Sequence, residues 1–229
     1  MKKIVKVLSV IMLMTALLTV GCTPEENKDH DYVDLGLPSG LLWATCNVGA
    51  NTPEEYGDYF AWGETQPKDV YSWSTYQYCV GSNNTLTKYC SRSMYGYNGF
   101  TDSLTILLPE DDPATANWGN GWCTPTKEQW KELLENTTNK RTTQNGVKGR
   151  LFTSKKNGQR LFLPAAGYRW AGNLFSVGSF GNFWSSSLST DDPGRAWDFD
   201  FDSNGCSMYD GDYRSGGRSV RAVRSASQN

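Results

Sequence analysis

Hydrophobic positions in this chain open with a block and continue as short alternating pieces. Lys2, Lys3 and Lys6 precede an apolar run of about 14 residues, Val7 to Val20. A bilayer-spanning helix needs about 20 such residues, whereas a signal-peptide core is this short. Thr23 to Asp31 has no apolar period and reads as a disordered tether. Tyr32 to Val48 predicts two extended segments around the turn signal Pro38-Ser39-Gly40. Thr52-Pro53-Glu54-Glu55 predicts a short helix, with Thr52 as cap, Pro53 in the first turn and Glu55 closing a capping box. Asp58 to Trp62 reads as a strand. Residues 68–113 show no period and read as a long loop, a type that is functional, disordered or stapled.

The clearest helix starts after Thr126, which forms a capping box with Gln129; Trp130, Leu133 and Leu134 mark its buried face, and Asn136 or Asn139 ends it. Leu151 to Leu163 predicts a hairpin turning at Lys155-Lys156-Asn157-Gly158. Tyr168 to Arg224 is punctuated by glycine and rich in strand pattern. Within it Trp197, Phe199 and Phe201 alternate with Asp198, Asp200 and Asp202, so the aspartates are expected on the wet face of an amphipathic strand. Trp184 and Phe199 are expected in the core.

Composition sharpens this picture. The 229 residues include nine Trp and 23 Gly, and the net charge is −2, more negative once the three signal lysines are removed. An acidic surface argues against nucleic acid as a partner. Residues 1–21 therefore read as signal, 22–31 as tether, 32–224 as one domain and 225–229 as a tail. Leu18-Thr19-Val20-Gly21-Cys22 resembles a bacterial lipobox, which implies a lipid on Cys22 and a membrane anchor. The acidic residues behind Cys22 resemble the export signal of surface lipoproteins in the Bacteroides group. An outer-membrane, surface-exposed lipoprotein follows as the expected location. Five cysteines remain, an odd number. Cys79 and Cys90 flank the turn signal Gly81-Ser82-Asn83-Asn84 and are the candidate disulfide.

Six motifs appear in order: 41–50 (Leu-Leu-Trp-Ala-Thr-Cys-Asn-Val-Gly-Ala), 53–64 (ending Tyr59-Phe60-Ala61-Trp62-Gly63-Glu64), Trp118-Gly119 with Trp122-Cys123-Thr124-Pro125-Thr126, Phe162-Leu163-Pro164-Ala165-Ala166-Gly167-Tyr168, Trp184-Ser185-Ser186-Ser187, and Ser219-Val220-Arg221-Ala222-Val223-Arg224. Together they resemble the Fibrobacter succinogenes major paralogous domain family, over about residues 32–224. That resemblance implies a C-type-lectin-like α+β fold: two short helices against a twisted antiparallel sheet, with long loops. The fold is shared with formylglycine-generating enzymes. Cys123 stands where those enzymes carry Arg, which puts one core ion pair in doubt.

Candidate chemistry is sparse. The lone histidine, His30, lies in the tether, so serine triads, Cys–His pairs and histidine-ligated zinc have no material. Formylglycine chemistry needs a late cysteine pair, and only Cys206 is there. Paired carboxylates remain for a glycan hydrolase: Glu110, Asp111 and Asp112, expected in a solvated loop, or Asp198, Asp200 and Asp202. Asp200, Asp202 and Asn204 begin like a calcium loop but lack its final Glu, because the twelfth position is Gly211. Asp102-Ser103-Leu104 resembles an O-glycosylation acceptor of the Bacteroides group, at Ser103. No cofactor and no enzymatic activity are expected.

The stretch 169–213 has the composition of a recognition surface. Trp170, Asn173, Phe175, Phe180, Asn182, Asp198, Ser207, Tyr209, Asp212 and Tyr213 combine rigid aromatics with adaptable polar groups. They are the candidate contacts to an external protein or glycan. The segment also resembles the variable region of targets of diversity-generating retroelements, with Gly167-Tyr168, Trp184-Ser185-Ser186 and Ser219-Val220-Arg221 as the constant frame. A structural or adhesin subunit is the third role considered.

Overall fold

The computed structural model describes residues 30–226. The signal run and Cys22 lie outside them. His30 and Asp31, expected in the tether, already belong to the folded part. The His30 ring stacks on Trp118 at 3.8 Å, and the Asp31 carbonyl accepts from Thr45 N at 2.9 Å.

Among the described residues antiparallel sheets dominate, with two α-helices and three short 3-10 turns, an α+β or mostly β architecture. β1 (Tyr32–Asp34) pairs with β2 (Leu41–Ala44), and the chain returns at its far end to place β11 (Val223–Ser225) on the other edge of β2. Ser225 thus ends a strand, although it was expected in the tail. Of the two helices, α1 (Pro113–Trp118) is short. Asp112 caps it by accepting from Ala114 N, and Pro113 occupies its first turn. The second, α2 (Lys127–Asn136), starts as its sequence predicts. Thr126 Oγ1 accepts from Gln129 N, and the Gln129 side chain accepts from Thr126 N at 2.8 Å. It ends at Asn136, where β3 (Thr137–Gln144) begins.

β3 forms a three-stranded meander with β4 (Val147–Ser154) and β5 (Arg160–Pro164), so the 151–163 hairpin forms as expected. The β3–β4 turn is Asn145-Gly146, both at positive φ, so a second Asn-Gly hairpin precedes the expected one. β6 (Tyr168–Trp170) and β7 (Asn173–Phe175) make a small ribbon. The last sheet has β9 (Arg195–Phe201) in the middle, flanked by β8 (Gly181–Leu188) and β10 (Cys206–Tyr213).

The main core lies where α2 meets the sheets. Trp130 stacks on Phe199 at 4.6 Å and leans on Trp43 at 4.7 Å, among Leu133, Phe152, Leu163, Phe183 and Val223. A second cluster joins Phe60, Trp62, Trp122, Trp184 and Val220, and Trp184 Nε1 donates to Phe60 O at 2.7 Å. Such plates carry the stability, at about 1.5–3 kcal/mol for each fully buried side chain.

Three local expectations fail. Residues 51–55 form turns rather than a helix, because the Glu55 carboxylate accepts from Asn51 N at 2.7 Å and closes the segment on itself. Residues 58–62 carry one bridge, Phe60 to Arg218, instead of a strand. Cys79 and Cys90 are both free thiols, with Cys79 Sγ directed at Trp73 O (3.1 Å) and Cys90 Sγ at Arg92 O (3.2 Å). The 68–113 loop is held instead by Arg214, which is fully buried. Its guanidinium donates to Tyr76 Oη, Tyr89 O, Pro193 O and Lys88 O at 2.9–3.0 Å and lies 4.9 Å from the Trp62 ring.

Candidate functional site

The pocket of interest sits on the face of the β8–β9–β10 sheet beneath the β6–β7 ribbon. Its volume is about 590 Å³. Ala171 and Gly172 both take positive φ in the two-residue turn of the ribbon, as a tight hairpin requires. Gly167 places the ribbon close to its own strand. Its φ is +67°, and a Cβ there would lie 1.9 Å from Phe175 O. Tyr168 then stacks on Phe175 at 5.5 Å, and Trp170 meets Tyr213 at 6.2 Å.

The sheet contributes the polar floor. Across the strands Asn182 faces Asp200, and Trp184 faces Asp198. On the other side Tyr209 faces Asp198, and Asp212 faces Ala196. Two residues of β10, Asp210 and Gly211, thus stand against one of β9, Trp197. This bulge keeps Tyr209 and Asp212 on the same face, where regular alternation would turn one of them away.

Seven of the ten residues singled out from sequence line this pocket: Trp170, Phe175, Phe180, Asn182, Tyr209, Asp212 and Tyr213. Phe175, Tyr209 and Tyr213 are open to solvent at 39%, 48% and 38%. The other three fall elsewhere. Asn173 is exposed on β7, Ser207 lines a neighbouring groove with Asp202 and Asn204, and Asp198 is sealed beneath the floor. Three lining residues were not among the ten: Tyr168, Asp200 and Arg218. Arg218 was signalled only by being a cation in a glycine-rich run, Ser215-Gly216-Gly217. It donates to Asp212 Oδ2 through Nε (2.8 Å) and Nη2 (2.7 Å), and its guanidinium lies 4.8 Å from the Tyr168 ring.

The aspartates correct the wet-face expectation. Asp198 is fully buried, and Asp200 is only partly exposed. Burial, reinforced by the charges of Asp200 and Asp212, holds the Asp198 carboxyl well above the usual carboxylate range. Burial also pushes Asp200 up to about 7, with Asp212 adding to the shift. Asp202 behaves oppositely: Asn204 N and Gly205 N donate to its carboxylate in a tight turn, which lowers its pKa. Asp202 and Asn204 therefore cap a turn, and the carboxylates that gather are Asp198, Asp200 and Asp212.

The remaining acidic candidates are structural. Asp111 and Asp112 are buried rather than solvated. Asp111 accepts from Lys88 Nζ, Tyr78 Oη and Tyr89 Oη, and Asp112 accepts from Thr124 N and Oγ1 while capping α1. Glu110 is exposed beside them. Ser103 is exposed in a loop whose neighbour Asp102 accepts from Tyr89 N, Cys90 N and Leu104 N. Compared with family models, curated proteins and solved structures, the chain matches none.

Proposed function

We propose that this chain is a surface-displayed lipoprotein whose C-type-lectin-like domain captures an external ligand in the ribbon-covered pocket, without turning it over. The observation that carries this reading is the convergence of Trp170, Phe175, Phe180, Tyr209 and Tyr213 on one open pocket with Asn182, Asp212 and Arg218 between them. Rigid aromatics give contact area at low entropic cost, and the polar groups fix orientation. A glycan fits this lining best, since a sugar offers flat C–H faces for the rings and hydroxyls for the amide, carboxylate and guanidinium. The lipobox-like Cys22 would hold the domain at the membrane, and Ser103, being exposed, remains open to glycosylation.

Membership in the Fibrobacter succinogenes major paralogous domain family rests on the six ordered motifs, and the antiparallel α+β architecture is compatible with it. Diversification by a retroelement draws support from the division of labour along 167–224. Of the frame residues, Gly167, Trp184, Ser185, Ser186, Ser219, Val220 and Arg221 are buried and only Tyr168 is half-buried and lines the pocket, while most pocket-lining residues between them are partly or fully exposed. A reverse-transcriptase gene and a near-copy of codons 168–224 in adjacent DNA would uphold that part, and their absence would end it.

Screening the purified protein on an array of extracellular glycans and peptides, with reducing-end release measured in parallel, tests the reading. Saturable retention of a glycan without release is expected. Turnover would replace it with the hydrolase, and no retention at all would leave the structural or adhesin role.

A further inference from the structure

The floor of the pocket has an excess of acceptors. Carboxylate oxygens of Asp198, Asp200 and Asp212 lie within 4.8 Å of one another. Asp198 is 0% exposed, and no amide, hydroxyl or guanidinium donates to either of its oxygens, which face the Asp200 carboxyl instead. Asp200 Oδ1 is likewise buried and without a donor. A neutral group adds an independent sign. Asn182 is 2% exposed, and its Nδ2 donates to Asp212 Oδ2 at 2.7 Å. That bond fixes the amide and leaves Asn182 Oδ1 buried with no donor of its own. All the unpartnered atoms of these four side chains are oxygens that accept, and buried acceptors left without a donor are costly. Arg218 does not relieve them, because its hydrogen bonds go to Asp212 Oδ2 and Gly217 O.

We propose that Asp198, Asp200 and Asp212, with Asn182 Oδ1, form a calcium site at the pocket floor. An all-oxygen donor set selects a hard cation over zinc or copper. Coordination preference then selects among hard cations. Calcium accepts several protein oxygens in a flexible shell, whereas magnesium demands a near-ideal octahedron and keeps several of its waters, so three carboxylates whose oxygens gather within 4.8 Å of one another, with the Asn182 amide beside Asp212, suit calcium. Four protein oxygens leave two to four positions of a six- to eight-coordinate ion for water on the pocket side. The site stands whether or not the pocket also takes a glycan, so the two ideas fail separately.

The test uses the purified, chelator-stripped protein and calcium chloride alone, followed by calorimetry and by terbium luminescence. Trp184, directly across from Asp198, is the expected sensitiser. One ion per chain is expected, with a Kd on the order of 10⁻⁴ to 10⁻³ M or tighter, and with magnesium a poor competitor. D200N and N182A should each weaken uptake tenfold or more. D202N should leave it unchanged, because Asn serves that turn as well as Asp. Should D198N not fold, D200N and N182A still decide the matter. No uptake at millimolar calcium, or uptake unaffected by D200N and N182A, would overturn the site. A gain in thermal stability of D200N that is the same with and without calcium would point to a proton shared by Asp198 and Asp200, and would also overturn it.

Discussion

Trp170 and Tyr209 reach the pocket from different elements, one from the ribbon and one from the edge strand β10. Neither belongs to the buried core, and Tyr209 is 48% exposed. Replacing either with Ala is expected to weaken ligand binding tenfold or more, as loss of a central aromatic anchor does. Unfolding free energy should change by no more than about 0.5 kcal/mol, as for surface positions generally. Calorimetry and a thermal melt on the same preparation check both halves. At the ribbon turn, Ala171 holds φ +47° without the side chain that favours it. Ala171→Asn should stabilise the protein by about 0.5–1 kcal/mol, read from a denaturant midpoint. The aromatic set was legible at this scale because Trp, Tyr and Phe in a glycine-punctuated stretch are conspicuous. Asp198 was misjudged for a physical reason. Alternation places Asp198 and Asp200 opposite Phe199 and Phe201, but it cannot reveal that the aspartate face is covered too.

Elements with local determinants were readable, and those with remote ones were not. The Thr126–Gln129 capping box is local, and α2 begins there. Thr126→Ala should cost about 1 kcal/mol. Thr52 to Glu55 carries a similar signature, yet Glu55 turns back on Asn51 and no helix propagates, since so short a nucleus gains too little to form. The β10 bulge was also out of reach, because it depends on register against β9. The long 68–113 loop looked in need of a staple. It has one in Arg214, more than a hundred residues from Tyr76 and Tyr89. Arg214→Met should destabilise by about 3 kcal/mol or more, since it strands several buried acceptors. Arg214→Lys should not restore the loss, because an ammonium cannot reproduce the planar fork. Urea unfolding of the two variants decides this.

At the scale of the molecule, β11 closes on β2, so the last strand completes a sheet begun at residue 32. The mixture of a capped helix with many short strands was legible in the capping and alternation patterns, while the sheet partners became visible only in three dimensions. The acidic floor gives the whole molecule a pH signature. In the folded protein Asp200 titrates at about 7 and Asp198 well above its usual range, whereas both ionise near 3.8 when unfolded. Between those limits the folded state holds more protons, so stability is highest at the acidic end and falls as pH rises towards 7. In chelator, the protein should therefore melt at a lower temperature at pH 7 than at pH 5. A Tm that rises over this interval would mean the two carboxyls are not held protonated.

The most direct test of ligand capture is the Trp170→Ala/Tyr209→Ala double variant on the same glycan and peptide array as the wild-type protein. The account predicts a folded variant that loses every specific signal the wild type shows. Wild-type signals surviving in that variant would place recognition elsewhere on the surface and contradict it.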